Sequence, residues 1–267
     1  MKKDVLGIKI DDISIDEIAK TVQGWLSKSG KHYIVTPNPE IVMMAQKDQE
    51  LKSIINNADL AIPDGAGLKL TGDIRCLSPG IDVMEKLVKM ASERGFTIGL
   101  LGGRGQVANE TAERLLRKYP KLKVIFAKSG GEIDEEGRQL SVLSPQFSDS
   151  SSQVVGIPIT DKQKTEKQNS ENKQLKTDTR KTDLLFVAFG PPKQEKWIYK
   201  NLDKLDIKVA MGVGGAFDYI SGTVPRAPIW IRNLGFEWLF RLAVQPWRIK
   251  RQLALVKYLF YVKLNSW

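Results

Sequence analysis

The side chains best suited to chemistry fall just after short apolar runs, in turns rich in proline and glycine. Asp64 follows the run ADLAI and stands between Pro63 and Gly65, which define a tight turn with little bulk near the carboxylate. Such a carboxylate can take a proton from an attacking hydroxyl as a general base, or can simply cap its own loop as an Asx-turn. Thr36 and Asn38, in TPNPE, offer a hydroxyl and an amide to a sugar or phosphate. Asn38 also suits the N-cap of a following helix, with Pro39 at its first position. Gly102 and Gly103, in LLGGRGQ, make a strand-to-helix turn whose amides suit a phosphate, although glycines serving only close packing read the same way. Lys193 and Gln194 open a helix in GPPKQEKW, where a lysine opposes the helix dipole and so favours an anion-facing role. Asp218, in VGGAFDYISG, can accept hydrogen bonds from a ribose or a base, or be a solvated helix carboxylate.

Several reaction classes fall away. His32 is the only histidine, which argues against Ser-His-Asp and Cys-His catalysis and rules out multi-histidine metal sites. There is no Asp-x-Asp to hold a divalent ion against a diphosphate, so no metal and no cofactor are expected. Glu132, Asp134 and Glu136 read as dipole-stabilising charge at a helix start. The glycine spacing is wrong for G-x-G-x-x-G, and the next strand, KLKVIFAK, ends without an acid, which argues against a nicotinamide enzyme. A diphosphate leaving group would then be neutralised by arginines and backbone amides. Arg248 and Arg251 lie one turn apart on a helix that Pro246 begins, and Arg241 ends the preceding helical stretch. Three guanidiniums could stabilise developing negative charge there.

The elements that must position these residues alternate. Residues 4–10 read as a strand and 15–28 as a helix begun near Ser14 or Asp12; HYIV is a strand and 40–58 a helix. ADLAI, TIGLLGG, KLKVIFAK, DLLFVAFG and DIKVAMGVGG are further strands, most of them followed by helical spacing. This order predicts an α/β fold, a Rossmann-like, mostly parallel sheet with helices on both faces. Ligands of such sheets bind beyond the carboxyl ends of the strands, where the residues above fall.

Two segments break the rhythm. Residues 144–182 are rich in Ser, Gln, Lys and Thr and nearly free of aromatics, and read as a disordered surface insertion in a catalytic core spanning 1–224. Residues 225–267 form a helical appendage with four tryptophans and many cations against one acid, Glu237. That composition suits an interfacial membrane helix, or a packed helical pair with snorkelling cations. The net charge of +10 calls for an anionic partner; much of the excess sits in these two segments, which disfavours a nucleic-acid-binding reading. Cys76 is the only cysteine, the basic start is interrupted by acids, and no run approaches the roughly 18 apolar residues needed to cross a bilayer. A place in the cytosol or on its membranes is expected.

In this order TPNPE, IPDGAG, the LLGG turn, FGPPKQEKW, GVGGAFDYISG and RAPIWIRNLGFEWLFRLAVQPWRIKR resemble the WecG/TagA/CpsF glycosyltransferase family, especially its TagA branch. The resemblance spans the chain apart from the polar insertion. It implies inverting transfer of N-acetylmannosamine from a UDP-sugar donor to a polyprenyl-diphosphate-linked N-acetylglucosamine, by a metal-independent enzyme peripheral to the cytoplasmic face of an anionic membrane. It assigns the catalytic base to Asp64, the sugar's neighbours to Thr36 and Asn38, the uracil's to Asp218, and closure over the diphosphate to Arg241, Arg248 and Arg251. It leaves open a homo-oligomer and other donors, either the UDP-linked uronic acid of N-acetylmannosamine or another UDP-hexose. The polar insertion and Gln245, where relatives commonly carry Glu, depart from the family pattern. A non-catalytic membrane-associated nucleotide or lipid sensor is the rival reading.

Overall fold

The computed structural model describes residues 2–71, 74–138 and 182–265, with the backbone alone at 71, 250–252 and 265. In chain order its elements are β1 (Lys2–Val5), β2 (Ile8–Asp11), α1 (Ile15–Leu26), β3 (His32–Val35), α2 (Pro39–Ala45), α3 (Gln49–Asn56), β4 (Leu60–Ala61), α4 (Gly80–Arg94), β5 (Thr97–Gly102), α5 (Val107–Lys118), β6 (Lys123–Lys128), β7 (Thr182–Ala188), α6 (Lys193–Asn201), β8 (Ile207–Gly212), α7 (Ala216–Ile220), α8 (Ile229–Asn233), α9 (Glu237–Val244) and α10 (Ile249–Asn265). A 3-10 turn, Ala66–Thr71, follows the Asp64 loop.

Six strands form one parallel sheet in the order β4-β3-β8-β7-β5-β6. Its central strands are apolar almost throughout, because both faces are covered. One face carries α1, α4, α5 and α7, whose Ile18, Met84, Leu115 and Phe217 meet Ile34, Leu184 and Met211 of the sheet. The other carries α2, α3 and α6. The neighbouring strands β3 and β8 send their next helices, α2 and α7, to opposite faces. Such divergence opens a crevice at the strands' carboxyl ends.

Several local expectations change. The single strand expected at 4–10 is a hairpin, β1 and β2 antiparallel, because Leu6 (φ 54°) and Gly7 (φ 78°) make a two-residue turn that Asp4 Oδ1 closes by accepting from Gly7 N at 2.8 Å. The single helix expected over 40–58 is two, since Asp48 leaves the helix and caps α3 by accepting from Leu51 N at 2.9 Å. Glu132, Asp134 and Glu136 start no helix; Asp134 instead closes a turn with Arg138, whose backbone N and Nε both donate to it at 2.7 Å. Helix α4 was not singled out in the sequence, yet its first turn bounds the site. The polar insertion lies outside the described residues except Thr182, which opens β7.

The described residues beyond 225 are mostly helical, as expected, and they lie at the sheet's carboxyl edge. Helix α10 lies on α2, with Tyr258 fully buried and Leu255 packed against the second core. A Cβ placed on Gly67 would lie 2.9 Å from Leu255 Cδ1, and one on Gly235 would lie 3.1 Å from Ala66 Cβ. The 3-10 turn after Asp64 is thus held between two parts of the appendage. No described helix is long and apolar enough to cross a membrane.

Candidate functional site

Asp64 lies past the end of β4, its backbone N donating to Pro37 O at 2.9 Å, which ties the β4 loop to the β3 loop. Its Oδ1 accepts from Gly80 N, the first residue of α4, at 3.3 Å. The carboxylate therefore faces a 15-residue helix's N-terminus, whose dipole favours negative charge. Gly80 is glycine for a local reason: a Cβ there would sit 3.2 Å from Thr36 Cγ2 and 3.8 Å from Asp64 Oδ2. The side chain keeps a partial opening to solvent within dense protein surroundings. Desolvation pushes its pKa up to about 6; the Gly80 hydrogen bond and Arg241 oppose this, while Glu237 and Asp82 add to it. A carboxylate so tuned is ionised at neutral pH yet more basic than an ordinary aspartate, as a general base requires.

The structure separates the other candidates by how far they are committed to the protein. Thr36 is buried, and its Oγ1 donates to Gly212 O at 3.2 Å, bridging the β3–β8 divergence. Asn38 caps α2, Oδ1 accepting from Ile41 N at 3.0 Å, and stays half-buried beside Gly65. Gly102 and Gly103 have φ of 111° and 75°, and a Cβ on Gly102 would strike the Ala188 backbone at 2.6 Å. The pair's geometry serves close approach of β5 to β7. Gln194 is buried: Nε2 donates to Glu195 Oε1 at 2.8 Å, and Oε1 accepts from Gly214 N at 3.0 Å. It shapes the β8 loop from below.

Asp218, on α7, is half-buried; desolvation raises its pKa, and Arg241, Arg248 and Arg104 act against the rise. Arg241 crosses from α9 to this place. Its guanidinium lies over the Tyr219 ring at 4.9 Å and against Gly215, with Nε buried and unpartnered among the described residues. Arg248 donates from Nη1 to Gln245 Oε1 at 3.0 Å. The side chain of Arg251 lies outside the described residues. Asp64, in the loop past β4, and Asp218, on α7 past β8, thus both feel Arg241. Among the described residues no group of three His, Cys, Asp or Glu side chains is placed to hold a metal ion.

Sequence reasoning missed a second charged cluster. Arg226 forks onto Asp82 of α4, Nη1 to Oδ1 at 2.6 Å and Nη2 to Oδ2 at 2.8 Å, and reaches Glu237 Oε1 from Nε at 3.3 Å. Arg232 Nη1 stands 3.9 Å from the same Asp82 oxygen. It also missed Glu195, fully buried with Oε2 unpartnered, whose pKa desolvation lifts to about 7. The contrast of a bidentate arginine with a first-turn aspartate is visible only in three dimensions, because the pair lies 144 residues apart.

Comparison with known proteins adds to this geometry. The model of the Glycosyl transferase WecG/TagA/CpsF family matches residues 3–157 and 152–267. A protein of Bacillus subtilis (strain 168), named N-acetylglucosaminyldiphosphoundecaprenol N-acetyl-beta-D-mannosaminyltransferase, is 30% identical over 243 residues, 85% of this chain and 80% of its own length. A protein of the same name from Staphylococcus aureus (strain MRSA252) is 27% identical over 268 residues, 98% of this chain and 92% of its own length.

Proposed function

Since the chain belongs to the WecG/TagA/CpsF glycosyltransferase family, we propose that it moves N-acetylmannosamine from UDP onto N-acetylglucosamine-diphospho-undecaprenol with inversion. The relatives' names carry the acceptor and the sugar; the geometry supports the roles. Asp64 takes the proton from the acceptor's 4-hydroxyl as that oxygen attacks the anomeric carbon. The C1–O bond to UDP breaks on the opposite face, and its electron pair leaves on the β-phosphate. Arg241 and Arg248, near Asp218, take up the negative charge that develops there, and Arg251 joins them from the next turn. Asp218 holds the nucleoside. Thr36, Asn38, the Gly102–Gly103 turn and Gln194 set the walls and loops around the sugar and diphosphate. The observation that carries this reading is the Asp64 carboxylate: desolvated, set at the start of α4 and placed within the field of an arginine from the appendage.

The appendage supports action at a membrane surface. Trp230, Trp247, Val256, Phe260 and Leu264 are each at least 60% exposed, and the stretch is rich in cations. Water-exposed apolar side chains in that number mark an interface. We assign it to the cytoplasmic face of an anionic bilayer, where a polyprenyl-linked acceptor is held.

The test is UDP release from a panel of UDP-sugars with a short-chain N-acetylglucosamine-diphospholipid, with and without EDTA. UDP-N-acetylmannosamine should be turned over at the same rate in both. No release from any UDP-sugar would leave the lipid or nucleotide sensor as the better reading.

A further inference from the structure

The described arginines of the appendage that act on the site's acids fall into two groups with different neighbours. Arg241 and Arg248 act on Asp218. Arg226 and Arg232 act on Asp82, at the start of α4. Asp64 feels both Arg241 and Asp82.

The second group is not uniform. Arg226 is spent: its Nη1 and Nη2 bind Asp82, and its Nε binds Glu237. Arg232 is not. The Asp82 oxygen nearest to it already accepts from Arg226 at 2.6 Å, which leaves Arg232 a loose pair at 3.9 Å. Its Nε is buried with no hydrogen-bond partner among the described residues. A guanidinium presents five donors in a rigid fork suited to phosphate oxygens. Burying a single donor without a partner, as at Nε, costs stability that a ligand oxygen would recover.

The surroundings of Arg232 identify the kind of anion. It sits on α8 between Ile229 and Trp230, 66% and 65% exposed, and Leu234 and Phe236, 62% and 49% exposed. A water-soluble nucleotide has no use for such a rim. A diphosphate esterified to a long hydrocarbon does, since its anionic head needs the cation and its chain needs the apolar flank.

We propose that Arg232 binds the diphosphate of the lipid-linked acceptor, with the polyprenyl chain leaving along the exposed apolar side chains of α8 and the turn after it. The inference rests on the transferase reading above and deepens it. The two diphosphates of the reaction then have separate cations. The departing one is held by Arg241 and Arg248, and the acceptor's by Arg232, with Asp64 between Arg241 and the Asp82 carboxylate that the second group pairs with.

The test measures equilibrium binding to the full-length chain, without transfer, of farnesyl diphosphate, inorganic diphosphate and UDP. Wild type should bind farnesyl diphosphate more tightly than inorganic diphosphate. Arg232→Ala should weaken farnesyl diphosphate about tenfold or more, the value of one charge-assisted phosphate contact, and leave UDP within twofold. Arg248→Ala should do the reverse. Arg232→Lys, which keeps the charge and stem, should fall between; it also serves if the alanine variant does not fold. In turnover assays the acceptor KM should rise for Arg232→Ala while the UDP-sugar KM stays within twofold. Unchanged farnesyl diphosphate binding, or equal weakening of UDP, would overturn the proposal. A wild type that binds farnesyl diphosphate through Arg232 but transfers no sugar would leave this subsite standing and remove the transferase reading instead.

Discussion

Asp64→Asn should separate catalysis from both binding and stability. Asparagine keeps the shape and can still accept from Gly80 N, now made at 3.3 Å, so the loop should persist. It cannot take a proton. Loss of a positioned general base costs about 10²- to 10⁴-fold in rate, while UDP affinity should change little. Burial lifts the Asp64 pKa from the ordinary 3.8 to about 6. Activity of the wild type should therefore fall as pH drops through about 6, and that limb should vanish from the residual activity of the variant. The same burial has a stability sign. An acid whose pKa is raised on folding binds its proton more tightly in the native state. Stability is thus fully present below 3.8 and is lost as pH rises towards 6. The full displacement corresponds to about 3 kcal/mol, and the partial solvent opening of the side chain reduces it to about 1–2 kcal/mol. The asparagine variant should be more stable than wild type by that margin at pH 7.5, read from urea midpoints, and equal to it near pH 3.5. Turnover and UDP affinity lost in equal measure, or an acid limb that survives the substitution, would remove Asp64 from the role of base.

Four further outcomes follow from contacts already described. Glu195→Gln should flatten the decline in stability between pH 4.5 and about 7, since burial raises that carboxyl's pKa across this window; urea midpoints at several pH values check it. Tyr258→Phe should be neutral or stabilising by about 1 kcal/mol in thermal melts, because the buried hydroxyl has no partner among the described residues. Arg226→Lys removes the fork on Asp82 and should cost about 1–3 kcal/mol in urea unfolding. Trp247→Ser, at a side chain 73% exposed, should weaken binding to anionic vesicles about tenfold in co-sedimentation without shifting the melting temperature.

How much of this was legible beforehand depends on the range of the interaction. The alternation of strands and helices shows in the sequence because fully covered parallel strands are continuously apolar, as in TDLLFVA. The strand-end positions of Asp64, Thr36 and Asp218 follow from that alternation. The hairpin at Leu6–Gly7 was hidden because leucine is an unusual residue for a turn with positive φ. The break before α3 was hidden because Asp48 caps a helix inside an unbroken helical period. Gln194 looked like a ligand group from its place at a helix start, yet its amide lies inward, held by Glu195 and Gly214. No local pattern announces that kind of partner. Arg226 and Asp82 are the extreme case: each is an unremarkable surface charge in sequence, and only the fold makes them a pair.

The six residues from Ala66 to Thr71 begin two positions after Asp64, and their neighbours Gly235 and Leu255 belong to the chain's last fifth. A protein ended near residue 225 would therefore lack one wall of the proposed reaction chamber, besides the surface proposed to hold it to a bilayer. Shortened versions made for convenience of handling should be judged with that in mind, because low turnover in them would report an incomplete chamber rather than a missing substrate.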